Sequence, residues 1–363
     1  MSDKRSLVRS RLVRGAAAGA GAALAVGWAA QHRLVARTRS TPDDIASEGL
    51  TVPDDCVQHV VDVDDGGRIH VIERGQGPPV VLLHGFMLSG ALWAHQLRDL
   101  AVHHRVIVPD LRGHGSSVPG SAGFSSVPAP GHVAELRADA RMSAAQQGSP
   151  GVRRMAMDVR AVLASLEVEH ALVVGHSMGG MVALQLAHDT ASDELHRQVA
   201  GLALVSTTAG PFTRLPGLGG MTRLARPVSA RAVSLADRWG VGALGSQDLR
   251  WWLTRLGFGA DAPPAQVRFV EGMHLATPSR TMVDLLLSLA LFDLSKWLWS
   301  VELPVLVVVG SHDRLTPPRH ALRTAAALPH SELVELPRCG HMPMIERRRE
   351  FARLIEEFAA KID

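Results

Sequence analysis

Ser177 stands in the string Gly175-His176-Ser177-Met178-Gly179, followed by Gly180. A serine with glycine two positions away on either side suits a sharp strand-to-helix turn, where crowding leaves no room for larger neighbours. The run Ala171-Leu172-Val173-Val174 reads as a buried strand and residues 178–188 as a helix, which is the context such a turn requires. The helix start behind Ser177 favours negative charge beside it. A serine hydroxyl is a weak nucleophile until a base takes its proton and an acid orients that base. Two later segments supply candidates. Gly310-Ser311-His312-Asp313 follows the apolar run at residues 305–309, and Gly340-His341-Met342-Pro343 follows the run at residues 333–336. Each lies where a strand ends, and the order Ser177, Asp313, His341 is nucleophile, acid, base. Asp284 and Asp293 are weaker rivals for the acid, because they fall in a helical stretch. Ser206-Thr207-Thr208 offers no acid at all.

An oxyanion formed by attack on a carbonyl needs two fixed N–H donors. The amide of Met178, next after the nucleophile, is one candidate. Phe86 is the other, in His84-Gly85-Phe86 after the run at residues 80–83, where Gly85 permits a tight approach. His84 reads as a brace for that loop. Asp110 and Arg112, in Pro109-Asp110-Leu111-Arg112-Gly113-His114-Gly115-Ser116, read as structural hydrogen-bonding residues.

Positioning these loops takes a regular scaffold, and the remaining pattern provides one. Residues 57–63 and 68–73 alternate around Asp64-Asp65-Gly66-Gly67, a hairpin signal. Continuous apolar runs at 80–83, 106–108, 171–174, 202–205 and 305–309 suit central strands buried on both faces. Helical patterns fall at 92–100, 155–166, 178–188, 319–327 and 348–358, and this alternation predicts an α/β fold with a mostly parallel sheet. Two stretches break the rhythm: a Ser-, Pro-, Gly- and Ala-rich loop insertion at 117–151, and a helical cap at 211–300. The cap holds Trp239, Trp251, Trp252, Trp297 and Trp299 with an apolar run at 283–292. These residues either line an apolar acyl pocket or pack the cap onto the core. The resulting organisation is a tail at 1–50, a core at 51–210 and 301–363, and the cap between.

The chain of 363 residues is 46% apolar and 20% charged, enough to bury a large core. Cys56 and Cys339 lie far apart and form no paired motif, so neither a zinc site nor a redox motif is supported. Residues 1–40 carry eight basic side chains against one acid, a net +7, so the rest carries −4. A mildly acidic body argues against nucleic-acid partners. The uncharged run at 15–30 is shorter than the ~20 residues of a spanning helix. We expect the tail to associate with membranes; the alternatives are a cleaved signal or a disordered or surface-helical tail, which would leave the protein secreted or cytoplasmic.

Taken together, His84-Gly85-Phe86, the block from Asp110 to Gly115, the turn at Ser177, Asp313 and His341 make residues 57–361 resemble the α/β-hydrolase superfamily, in its serine esterase and lipase-like branch. The resemblance implies an eight-stranded sheet, a lid inserted after the sixth strand and no cofactor. It further implies a serine hydrolase that cleaves small-molecule carboxylic esters through an acyl-enzyme. Acyl transfer, perhydrolysis or a non-catalytic ligand receptor would use the same fold. The anchor-like N-terminus and the 117–151 insertion depart from the family pattern.

Overall fold

A computed structural model describes residues 49–124, 149–189, 197–210 and 247–362, with residues 33 and 36 isolated near the N-terminus. The tail expectation therefore lies almost wholly outside the described residues, as do 125–148 of the insertion and 211–246 of the cap. Among the described residues no helix is long and apolar enough to cross a membrane.

Eight strands form one sheet in the order β1-β2-β4-β3-β5-β6-β7-β8. They are β1 (Val57–Asp62), β2 (Arg68–Arg74), β3 (Pro79–Leu83), β4 (Arg105–Pro109), β5 (Ala171–His176), β6 (Val199–Val205), β7 (Val305–Gly310) and β8 (Ser331–Leu336). The first three neighbours in that order pair antiparallel, and every pair from β4–β3 to β7–β8 is parallel. The helices are α1 (Pro150–Ser165), α2 (Met178–Asp189), α3 (Gln247–Leu256), α4 (Pro264–Ala276), α5 (Ser279–Leu291), α6 (Pro318–Ala327) and α7 (Arg348–Ile362). Strands β5 and β7 are buried along their whole length, as their unbroken apolar runs require, and apolar clusters cover both faces of the sheet. Helices α3 to α5 lie between β6 and β7 in the chain, where the cap was expected.

Two expectations need correction. Residues 92–100 do not form one helix. They break into a 3₁₀ turn at Gly90–Trp93, a single helical turn at Gln96–Asp99 and a second 3₁₀ turn at Leu100–Val102. Burial of Leu92, Trp93, Leu97 and Leu100 shapes this segment more than regular helical pairing does, and Trp93 stacks on Phe351 of α7 with ring centroids 6.1 Å apart. Helix α1 opens at Pro150, inside the stretch assigned to the insertion, because proline is well suited to the first position of a helix. The start of that insertion is pinned to the sheet by the Arg68–Val118 bridge.

Arg112 is fully buried and holds two carboxylates in its fork. Asp158 of α1 accepts from Nε and Nη2 at 2.7 Å each, and Asp65 of the β1–β2 turn accepts at 2.8 and 3.0 Å. The hairpin, the β4 loop and α1 are thereby tied at one point, which is the structural role expected of Arg112. Burial opposes the charge of Asp65, but Arg112, the Gly67 amide and Arg154 draw its carboxyl down to about 2. An unfolded aspartate titrates near ~3.9. A depressed folded value gives stabilisation that is complete above the unfolded value and lost as pH falls through the folded one. Asp65→Asn is therefore expected to lower Tm at pH 7 and to flatten its decline between about pH 4 and pH 2. Thermal melts across that range check this, and an unchanged slope would contradict it.

Candidate active site

Strand β5 runs straight into α2, and Ser177 is the residue between them, with φ 53°. That left-handed conformation is costly for a non-glycine residue and persists only where the surroundings enforce it. Here they do. A Cβ on Gly175 would sit 2.4 Å from the Gly179 carbonyl oxygen, and one on Gly179 would sit 2.3 Å from that of Leu83. Ser177 donates its N–H to Val205 O at 2.9 Å, and its carbonyl accepts from Gly180 N–H at 3.0 Å and the Thr207 hydroxyl at 2.6 Å. The side chain is left partly exposed in otherwise buried surroundings. Met178 is the first residue of α2, where amides have no partner within the helix.

Asp313 lies three residues beyond β7 and is buried. Its Oδ1 accepts from Leu315 N–H at 2.9 Å and Thr316 N–H at 2.8 Å, and its Oδ2 accepts from the Thr316 hydroxyl at 2.8 Å. His341, beyond β8, places Nδ1 2.9 Å from the same Oδ2. The carboxylate fixes the proton on Nδ1 and leaves Nε2 as the free acceptor. Burial raises the cost of the Asp313 charge, yet His341 and Thr316 hold its carboxyl below the ordinary range. The rival acids stand elsewhere: Asp284 pairs with Arg280 at 3.8 Å on an exposed face, and Asp293 caps Ser295.

His176 joins these parts. Its Nε2–H donates to the His341 carbonyl at 2.8 Å, its ring centroid is 4.8 Å from that of His341, and a Cβ on Gly85 would approach its Nδ1 to 2.9 Å. The Ser177 turn, the His341 loop and the His84-Gly85-Phe86 loop thus meet around one buried ring. The last of these loops has two further braces. His84 donates from Nδ1 to Gly85 O at 2.8 Å and accepts Leu111 N–H on Nε2 at 2.9 Å. His114 donates from Nδ1 to Arg112 O at 3.0 Å and accepts Met87 N–H on Nε2 at 3.2 Å. Each ring must be neutral to accept, and burial favours that form, pushing His114 down to about 3 and His84 below its ordinary value. Asp110 binds Gly90 N–H at 2.7 Å, Ser116 N–H at 2.9 Å and His70 Nδ1 at 2.9 Å, a structural role as expected.

All five predicted positions, Phe86, Ser177, Met178, Asp313 and His341, fall just past the carboxyl ends of β3, β5, β7 and β8, where open α/β sheets carry their sites. The family described as alpha/beta hydrolase fold matches residues 78–348. The chain belongs to that family. Among relatives of this α/β hydrolase is the AB hydrolase superfamily protein YisY of Bacillus subtilis. It is 26% identical over 306 residues, covering 83% of this chain and 98% of that one. The pimeloyl-[acyl-carrier protein] methyl ester esterase of Vibrio vulnificus is 26% identical over 297 residues, covering 81% and 98%. A solved structure of a thermophilic esterase from Thermogutta terrifontis superposes with a TM-score of 0.63 at 25% identity, over 85% of this chain and 98% of its own.

The cap tryptophans divide. Trp251 is buried in the cluster that also holds Leu336, Cys339 and Met342, and Trp297 packs against the opposite cluster. Trp252 and Trp299 are exposed, and Trp239 lies outside the described residues. Trp251 and Trp297 therefore pack the cap onto the core.

The sequence reading missed Thr316, Thr207, His114 and the joining role of His176. Only Thr316, three residues from Asp313, carried a local signal, since a threonine at that spacing readily bonds back to the carboxylate. Thr316→Val is expected to remove about 1.5–3 kcal/mol of stability by stripping a buried carboxylate of a donor. Denaturant titration at neutral pH checks it, and a change below about 0.5 kcal/mol would show that Asp313 does not depend on this hydroxyl.

Proposed function

We propose that this α/β hydrolase is a serine hydrolase of carboxylic esters, with Ser177 as nucleophile, His341 as base and Asp313 as the acid that orients it. The observation carrying this reading is His341 held by a buried carboxylate through Nδ1 while its carbonyl is bonded to the residue next to a left-handed serine. In the first half-reaction Ser177 Oγ attacks the ester carbonyl as its proton passes to His341 Nε2. The N–H groups of Met178 and Phe86 receive the oxyanion, and Asp313 stabilises the imidazolium. Collapse expels the alcohol, which takes its proton from His341. Water, deprotonated by His341, then attacks the acyl-enzyme, and the carboxylic acid leaves as Ser177 regains its proton. The esterases among its relatives favour ester substrates. Hydrophobic acyl groups, lipid-like ones included, are part of this proposal on the strength of the apolar run at 283–292 alone.

Ser177→Ala and His341→Ala are each expected to lower kcat for p-nitrophenyl esters by roughly three to six orders of magnitude. Asp313→Asn should also be strongly impaired. Since the three act as a unit, the Ser177→Ala/His341→Ala double variant should be little worse than either single one. Near-normal turnover by Ser177→Ala would refute the mechanism. Stoichiometric ester binding with no turnover by the unaltered protein would favour a receptor instead.

We also propose that residues 1–40 hold the protein at membranes. Their net charge of +7 and the uncharged run at 15–30 support this, each basic residue contributing about 1 kcal/mol at an anionic surface. Full-length protein should sediment with anionic vesicles and resist a high-salt wash, whereas protein beginning at Thr41 should stay in the supernatant with its esterase activity intact. Full-length protein left entirely in the supernatant would overturn this.

A further inference from the structure

The loop that carries His341 is held from a side the chemistry above does not use. Glu346, five residues further on, turns its carboxylate back toward that loop. Its Oε1 accepts from Gly340 N–H at 3.0 Å and Met342 N–H at 3.2 Å, the amides on either side of His341. Its Oε2 accepts from Gly259 N–H at 2.7 Å, in the turn that follows α3. His341 donates its own N–H to the Gly257 carbonyl at 2.7 Å in the same turn. The two backbones run so close that a Cβ on Gly340 would sit 2.4 Å from Gly259 N and 2.5 Å from the Phe258 carbonyl carbon. Apolar packing continues the contact, since Phe258 and Trp251 share a buried cluster with Met342, Met344 and Ile345. Burial raises the Glu346 carboxyl above its ordinary range, and the three amides act against that rise.

No other acidic side chain would serve the same geometry. An aspartate is one methylene shorter, and a glutamine has a single acceptor oxygen for three donors that approach from two sides. With its oxygen toward Gly340 and Met342, a glutamine would turn its NH₂ toward Gly259 N–H, donor against donor.

Resting on the Ser177–His341–Asp313 reading, we infer that Glu346 is the positioning residue for His341 and that, through it, residues 257–259 of the cap form part of the mounting of the base. Displacement of that turn then moves the His341 ring relative to Ser177 without touching either side chain. A base acts in the transition state more than in substrate binding, so disturbing its mounting lowers kcat and spares KM.

The test compares the full-length protein with its Glu346→Ala and Glu346→Gln variants, each titrated to completion with a fluorophosphonate to count competent sites, with Ser177→Ala as the unlabelled control. Rates are then expressed per titrated site on a p-nitrophenyl ester. Glu346→Ala is expected to lower kcat by about tenfold to a hundredfold with KM within about threefold, the size of loss that slight misplacement of a reacting group produces. Glu346→Gln, which keeps an acceptor for the loop but releases Gly259, should fall between it and the unaltered protein. A merely structural role would reduce the titrated fraction and Tm but leave kcat per site unchanged in both variants, and that result overturns the inference. Should Glu346→Ala fail to fold, Glu346→Gln with unchanged kcat per site is enough to overturn it. Failure of the unaltered protein to label at Ser177 would instead overturn the serine-hydrolase reading on which the inference rests.

Discussion

The site depends on one piece of backbone, the left-handed turn at Ser177. A non-glycine residue at φ 53° costs of order 1–3 kcal/mol, and nothing in the serine side chain repays that locally. The cost is offset by the sheet. Ser177 N–H continues the ladder onto β6 through Val205, Thr207 caps its carbonyl, and α2 begins at once. Gly175 and Gly179 allow the chain to pass over itself and under Leu83 of β3, so strand order and the geometry of Ser177 form a single constraint. Because β3 and β5 are parallel neighbours, the same requirement brings the His84-Gly85 backbone against Gly179 and His176.

Around this turn the protein uses buried imidazoles as neutral struts. His84, His114 and His176 each lie in a dry environment that disfavours the charged form. A neutral imidazole donates from one nitrogen and can accept on the other, and it can therefore join two backbone segments with no charge to desolvate. His84 and His114 tie the Gly85 loop to the Leu111 and Arg112 loop, and His176 ties the Ser177 turn to His341. Charge is kept for places where it is paired. Asp313 faces His341 and the Thr316 donors, and Arg112 lies between Asp65 and Asp158.

Much of this was legible in the sequence, for a physical reason. Central parallel strands are apolar on both faces, so β3, β5 and β7 stand out as unbroken runs, and Phe86, Ser177, Met178 and Asp313 lie where those runs end. Glycine at 175 and 179 betrays the turn because no other residue fits there. What remained hidden depends on contacts distant in sequence. Nothing local to Glu346 announces that it binds Gly259, and nothing in Arg112 names Asp65 and Asp158 as its partners. The 92–100 segment misled because its apolar spacing suits a helix, whereas burial of Trp93 against Phe351 accompanies a broken one. The cap tryptophans were ambiguous because packing and pocket lining ask for the same residue type.

The central claim is that Ser177 is an activated nucleophile, made so by His341 and Asp313. The most direct measurement is peptide mapping by mass spectrometry after brief exposure to a fluorophosphonate, comparing the unaltered protein with His341→Ala. The account predicts a single stoichiometric adduct on Ser177, formed at least about a hundredfold more slowly in the variant. An adduct on another residue, or equal labelling of both proteins, would contradict it.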